Sequence, residues 1–283
     1  MHQPKIIIHG GFFSESSTSH ETKAAKQKAL QDIIKKAYQF LETNSALDTV
    51  VYAVELLENC DLFNAGIGSQ IQRDGKIRMS ASIMDGVTKK FSGVINIEDV
   101  KNPIRVAEKL LTVDDRVLGG EGAQQFARAQ GFQYFNTEIP QRRAEYESKV
   151  RSIKTGTVGC VALDKEGRIA AATSTGGKGF ELPGRISDSA TVAGNFANDV
   201  CGVSCTGVGE DIVSGATAVK IATRVSDGLT LKEAFERSFA ELKPFDGFAG
   251  AIAIDNKGNI FHLDSHPSMV FASFDGQELI IFN

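Results

Sequence analysis

The chain has 283 residues, 42 % apolar and 23 % charged, the composition of an ordinary globular protein. Its formal net charge is −4, and basic residues occur only in short pairs such as Lys89-Lys90 and Arg142-Arg143, which argues against nucleic acid as the main ligand. The apolar run Ile6-Ile7-Ile8 is too short for a signal core or a membrane span, so the expectation is a cytoplasmic protein without a membrane anchor. Four cysteines (Cys60, Cys160, Cys201, Cys205) are too few and too irregular for a disulfide framework and read as reduced, buried thiols.

Lys5 to Ile8 predicts a buried strand, ended by His9-Gly10-Gly11. A Ser/Thr-rich loop follows over Ser14 to Ser19, and Thr18-x-x-Glu21 has capping-box spacing. Leu30, Ile33, Ile34, Ala37 and Leu41 then recur at helical spacing, and Leu47, Val50, Val51, Val54 and Leu57 mark a second helix. Phe63 to Ser69 is small and Gly-rich. Asp74-Gly75 is a hairpin signal between Gln70-Gln72 and Ile77-Met79. Ala81 to Met84 and Ser92 to Ile97 read as strands, Asn102-Pro103 starts a helix, and Gly122 to Ala129 reads as a short one.

Residues 136–154 are polar, with no apolar stripe, and predict an exposed connection or a poorly packed helix. Val158 to Leu163 and Arg168 to Ala172 form a strand pair, echoed by Ala251 to Ile254 and Asn259 to Leu263. Between the pairs, Glu210 to Arg224 predicts one buried helix, and Thr230-x-x-Glu233 caps the next. Met269 to Phe282 closes with a hairpin around Asp275-Gly276. Strands and helices come in blocks, which favours two antiparallel-rich sheets covered by helices.

The familiar catalytic patterns fail in turn. None of the five histidines lies in a recognisable triad context, and no Gly-x-Ser-x-Gly elbow occurs. Cys201-x-x-x-Cys205 has no partnering Cys or His pair, so no metal site built on side chains is expected. Gly176-Gly177-Lys178-Gly179 lacks the hydroxyl residue a phosphate loop needs after its lysine.

What remains is a dense set of ordered segments: Gly156-Thr157-Val158-Gly159, Thr173-Ser174-Thr175-Gly176-Gly177, Pro183-Gly184-Arg185-Ile186-Ser187-Asp188-Ser189, and Ser204-Cys205-Thr206-Gly207-Val208-Gly209-Glu210. Together with Asn64-Ala65-Gly66, Ile83-Met84-Asp85-Gly86, Lys101-Asn102-Pro103-Ile104 and Gly120-Glu121-Gly122-Ala123, they resemble the plant-type asparaginase (isoaspartyl peptidase) family of N-terminal-nucleophile hydrolases, over nearly the whole chain.

The resemblance implies an α+β fold, a four-layer αββα sandwich in a single domain over 1–283. It implies self-cleavage between Gly156 and Thr157 into 1–156, with a mobile tail over about 136–156, and 157–283. Thr157 is then the nucleophile, Thr175 orients its hydroxyl, and Thr206 with Gly207 forms the oxyanion hole. Arg185 and Asp188 grip the α-carboxylate and α-ammonium of an aspartyl substrate, Gly209 lies in the same pocket, and Asn64 lies near the nucleophile. These roles make chemical sense. Threonine needs a base, and a freed α-amine with a pKa of about 7.7–8.0 supplies one in place of histidine. A guanidinium fork suits a carboxylate, and a carboxylate suits an ammonium.

Each of these residues also has a plainer reading: Thr157 as a strand former, Thr175 as a turn residue, Arg185 and Asp188 as a surface ion pair. By the resemblance, the substrates are L-asparagine and β-aspartyl dipeptides, no catalytic cofactor is needed, a structural sodium is held by backbone carbonyls leading into Asn64, and the protein is a homodimer of αβ units. The other readings are a glycosylasparaginase-like hydrolase and a non-catalytic amino-acid-binding relative. Departures from the family pattern at Phe12-Phe13, Glu181, Ser187, Ala193-Phe196 and Ser265-Met269 gather around the expected pocket.

Overall fold

A computed structural model describes residues 2–13, 20–148, 156–245, 247–266 and 268–283. The Ser14–Ser19 loop and the Thr18-x-x-Glu21 capping box lie outside the described residues.

In chain order, β1 (Lys5–Phe12) is followed by α1 (His20–Leu41), α2 (Ala46–Glu58), β2 (Met79–Asp85), β3 (Lys90–Ile97), α3 (Pro103–Leu110), β4 (Val117–Gly119), α4 (Gly120–Ala129) and α5 (Pro140–Glu147). Beyond Thr157 come β5 (Val158–Leu163), β6 (Ile169–Thr175), β7 (Asn195–Ala197), β8 (Cys201–Gly207), α6 (Gly209–Gly215), α7 (Thr217–Ser226) and α8 (Leu231–Ala240). The chain ends with β9 (Ala249–Asp255), β10 (Ile260–Asp264), β11 (Met269–Phe274) and β12 (Leu279–Ile281).

Among the described residues the strands form two sheets. An eight-stranded sheet has the order β12-β11-β1-β5-β6-β2-β3-β4, and a four-stranded sheet has the order β10-β9-β8-β7. Every pairing is antiparallel except that of β3 with β4.

Side-chain alternation explains how three cores arise. On β1, Ile6 and Ile8 pack with α1 and α2 residues such as Leu30, Ile34 and Val54, while Ile7 faces the other sheet. On β5, Cys160 and Ala162 join the helical side, and Val161 and Leu163 meet Ile252 and Ile254 of β9. The far face of the small sheet, with Val203, Cys205 and Ala251, packs on Ile221 and Phe235 of α7 and α8. Strands buried on both faces lose their polar alternation, which is why β1 and β5 read as continuous apolar runs.

Three expectations change. Around Asp74-Gly75 there is a turn, with Gly75 N–H donating to the Gln72 carbonyl and Gly75 at φ +84°, but no strand ladder flanks it. The helix expected over Glu210 to Arg224 is two helices, because Ala216 adopts a left-handed φ of +48° between α6 and α7. The polar stretch expected over 136–154 contains α5, docked by buried Arg142, whose Nε donates to the Gly68 carbonyl at 2.7 Å. A guanidinium anchor leaves no apolar stripe, so periodicity missed it. The rest of the expected mobile tail, residues 149–155, lies outside the described residues. Elsewhere caps behave as predicted: Thr230 and Glu233 form a complete capping box. Asn102, in contrast, turns its amide to buried Glu58.

Phe235 is fully buried against Phe239 and Phe261, beneath the small sheet. Phe235→Ala is expected to cost about 3–5 kcal/mol of stability, through lost burial plus a cavity, as read by denaturant unfolding.

Candidate active site

Thr157 stands immediately before β5, at the floor of a cavity of ≈ 790 Å³ that Gly156, Thr175, Arg185, Asp188, Gly207 and Gly209 help to line. Its position follows from two strand pairings. β5 lies between β1 and β6, with Gly159 opposite both His9 and Thr173. The Thr157 side chain is 7 % exposed, and its Oγ1 lies 3.4 Å from Thr175 Oγ1 and 3.4 Å from Ser189 Oγ. These are long contacts, of the kind that tighten only when a ligand closes the site.

Below the threonine runs a buried polar chain. His9 Nδ1 lies 3.0 Å from the Thr157 carbonyl, which only accepts, so Nδ1 carries the proton. His9 Nε2 then accepts from Ser204 Oγ at 2.9 Å, and Ser204 Oγ accepts from Thr173 Oγ1 at 2.7 Å. Burial outweighs the bond to Thr157 and pushes the imidazole pKa down to about 3, so the ring is neutral and stays so. It touches the carbonyl of Thr157 and not its hydroxyl, so it holds the backbone and is not the base. Gly159 makes the chain possible: a Cβ there would collide with Ser204 Oγ and His9 Nε2.

The charged end of the cavity is arranged differently from a surface pair of Arg185 with Asp188. Arg185 makes a two-point ion pair with Glu210, Nε to Oε1 at 3.1 Å and Nη2 to Oε2 at 2.9 Å, and Lys178 Nζ reaches the same carboxylate at 2.7 Å. Burial pushes the Glu210 carboxyl up, but hydrogen bonds from Arg185 and Lys178 outweigh it and carry it down to about 2. Asp188 is 2 % exposed, and burial, only partly offset by nearby Arg185, raises its pKa to about 7. Its Oδ2 has no hydrogen-bond partner among the described residues. A Cβ on Gly209 would stand 2.8 Å from both Arg185 Nη2 and Asp188 Oδ1, so glycine keeps the space between them open.

Thr206 is fully buried, and its hydroxyl has no partner among the described residues. Gly207 has φ +138°, a backbone that favours glycine, and lines the cavity. Asn64 does not line it. Its Nδ2 donates to the Gly177 carbonyl at 2.6 Å, its Oδ1 accepts from Gln70 N–H, and a Cβ on Gly156 would lie 2.7 Å from its own Cβ. His9, Ser189, Ser204 and Glu210 were not singled out from sequence. A histidine ending an apolar strand was the one available signal. The other three are small or charged residues whose partners are distant in the chain.

Among the described residues no group of His, Cys, Asp or Glu is placed to hold a metal ion, and no helix is long and apolar enough to cross a membrane.

Helix-covered, mostly antiparallel sheets make this a protein of mixed α and β class, with its cavity at the head of a central strand where the hydroxyls of Thr157, Thr175 and Ser189 meet. The chain belongs to the asparaginase family, whose profile matches residues 2–149 and 136–281. It is 41 % identical over 292 aligned residues to an isoaspartyl peptidase/L-asparaginase of Synechocystis sp., covering 96 % of this chain and 88 % of the relative. A protein of the same name from Nostoc sp. is 42 % identical over 298 residues (98 % and 93 %). An isoaspartyl peptidase of Escherichia coli is 40 % identical over 281 residues (90 % and 88 %).

Gly159→Ala is expected to break the His9–Ser204 contact and destabilise the protein by about 2 kcal/mol, seen as a lowered Tm in calorimetry. An unchanged Tm would mean the chain of hydrogen bonds has slack.

Proposed function

We propose that this protein hydrolyses the side-chain amide of L-asparagine and the isopeptide bond of β-aspartyl dipeptides, with Thr157 as a nucleophile freed by self-cleavage. The observation that carries the reading is the buried Thr157 hydroxyl, beside Thr175 and Ser189, in one cavity with Arg185 and Asp188. The names of the relatives support the substrate class. Under this reading the two sheets and their helices are the four-layer αββα sandwich of N-terminal-nucleophile hydrolases.

In the cleavage step, Thr157 Oγ1 attacks the Gly156 carbonyl carbon and the C–N bond breaks, which moves the acyl group from nitrogen to oxygen. Water then hydrolyses the ester, leaving a Gly156 carboxylate and a free Thr157 α-amine. His9 fixes the Thr157 backbone throughout, and Asn64 props Gly156 and Gly177, so its part is support and not substrate contact. Thr175 orients the hydroxyl.

In turnover, the α-amine takes the proton of its own hydroxyl, and Oγ1 attacks the substrate amide carbon. The oxyanion receives hydrogen bonds from Thr206 O–H and Gly207 N–H. The leaving amine takes the proton from the Thr157 ammonium, and water then hydrolyses the acyl-enzyme ester to release aspartate. Arg185 receives the α-carboxylate beside Glu210, and Asp188 Oδ2 receives the α-ammonium, with Gly209 leaving room for both.

What supports a structural sodium is the set of backbone carbonyls leading into Asn64. The carbonyls of Asp61 and Phe63 converge to 2.8 Å from where a Cβ on Gly68 would stand, a cradle of hard oxygen donors for such an ion. Bound there, the ion would stiffen the loop that carries Asn64. Four free cysteines fit a reducing compartment and support a cytoplasmic setting. The dimer of αβ units rests on family resemblance, and light scattering after size exclusion reads it.

Wild-type protein is expected to run as two fragments on a denaturing gel, the smaller beginning at Thr157. Thr157→Ala should remain one chain and be inactive. An uncleaved yet active wild type, by intact mass and assay, overturns the mechanism. A second expectation concerns pH. The free Asp188 carboxyl ionises near pH 7 because burial raises it, and only its ionised form accepts the substrate ammonium. KM should therefore rise as pH falls through about 7. An initial-rate series giving a flat KM across that range would assign the ammonium to another group.

A further inference from the structure

One feature of the cavity lies outside the aspartyl grip. Residues 177–184 form one wall of it, running from Gly177, whose N–H donates to Thr175 Oγ1 at 3.2 Å, to the residue before Arg185, and Phe180 in that wall has a left-handed φ of +56°. A bulky aromatic residue holds that conformation only where its surroundings impose it. Two contacts do so. Phe180 N–H donates to the Ile71 carbonyl at 3.0 Å, and the Phe180 ring stacks on Tyr146, centroids 5.2 Å apart and planes 12° from parallel.

Tyr146 lies in the last turn of α5, ahead of the cleavage site. Its hydroxyl donates to the Arg73 carbonyl at 3.1 Å, and Arg73 N–H donates to the Glu181 carbonyl at 3.1 Å, so one side chain grips the wall at two points. The Arg143 guanidinium stacks on the tyrosine ring, 5.3 Å from its centroid, and buried Arg142 ties the helix to Gly68.

We propose that Tyr146 is a positioning residue for the leaving-group wall, and that α5 stays docked after cleavage to supply it. The proposal rests on the amidohydrolase reading. The aspartyl half of either substrate occupies the space between Thr157, Arg185, Asp188 and Gly209. Asparagine ends there, since its leaving group is ammonia. A β-aspartyl dipeptide continues beyond the amide with a whole amino acid, and the wall at 177–184, which begins at Gly177 beside Thr175 and the Thr157 hydroxyl, is the wall we assign to it. Tyr146 thus separates the two substrate classes: it matters for the dipeptide and not for asparagine.

The test is Tyr146→Ala and Tyr146→Phe in the full chain, each first checked for normal two-fragment processing. Tyr146→Ala is expected to raise KM for β-aspartyl-leucine by about five- to tenfold, the worth of one aromatic stack, with kcat nearly unchanged. Asparagine kinetics should stay within about twofold, and Tyr146→Phe, which keeps the stack, should restore most of the dipeptide KM. An unchanged dipeptide KM, or an equal loss for both substrates, overturns the proposal. Hydrogen exchange of residues 177–184 decides separately. Faster exchange in Tyr146→Ala than in wild type supports the clamp, and equal protection overturns it. A wild type that turns over neither substrate would sink the amidohydrolase reading, while the exchange result would still judge the clamp.

Discussion

A buried histidine that must remain neutral sets the geometry of the site. His9 ends the apolar part of β1, and the register of β1 with β5 places it opposite Gly159. From there it reaches the Thr157 carbonyl with one nitrogen and Ser204 of the second sheet with the other. The same ring therefore locks the Thr157 backbone and bridges the two sheets. Water is excluded there, so protonation is opposed and the tautomer is fixed by its partners. The missing side chain at Gly159 is the condition for all of this.

The charged half of the cavity works by a different rule. Thr157 and its neighbours are hydroxyls, uncharged and closely packed, whereas Arg185, Lys178 and Glu210 form a partly exposed network at the rim. Asp188 stands between the two regimes. It is buried like the hydroxyls and ionisable like the rim, so its charge is poised near neutrality. In the proposed reaction an incoming ammonium would supply the partner that Asp188 Oδ2 lacks. The Arg185 guanidinium is already held by Glu210, so it presents an oriented fork instead of a flexible side chain.

Much of this was legible in sequence. Short-range signals survived intact: the capping box at Thr230, the hairpin at Asp275-Gly276, and the strand pairs flanking Gly167 and Gly258. The segments around Thr157, Thr175, Arg185 and Thr206 could be ordered into a site because, in that order, they resemble segments of the plant-type asparaginase family. Long-range partners were not legible. His9 meets Ser204 only because two sheets stack, and nothing near either residue says so. The break between α6 and α7 falls on Ala216 and not on the neighbouring Gly215, although glycine is the residue that ordinarily takes a left-handed φ. In α5 the anchor is an arginine on a backbone carbonyl, which no hydrophobic period can reveal.

If the bond before Thr157 is cut as proposed, the strand order of the large sheet has a consequence for the two pieces. β1 belongs to the first fragment, yet its neighbours on both sides, β11 and β5, belong to the second, and β6 in turn pairs with β2 of the first. The fragments are interleaved and not merely apposed. They cannot part without opening three backbone ladders and exposing sheet edges that would aggregate. Covalent continuity is thus needed to assemble the sheet and dispensable afterwards. A protein built this way matures in one direction: after unfolding, the two pieces must find each other in solution, so refolding becomes concentration-dependent where the first folding was not.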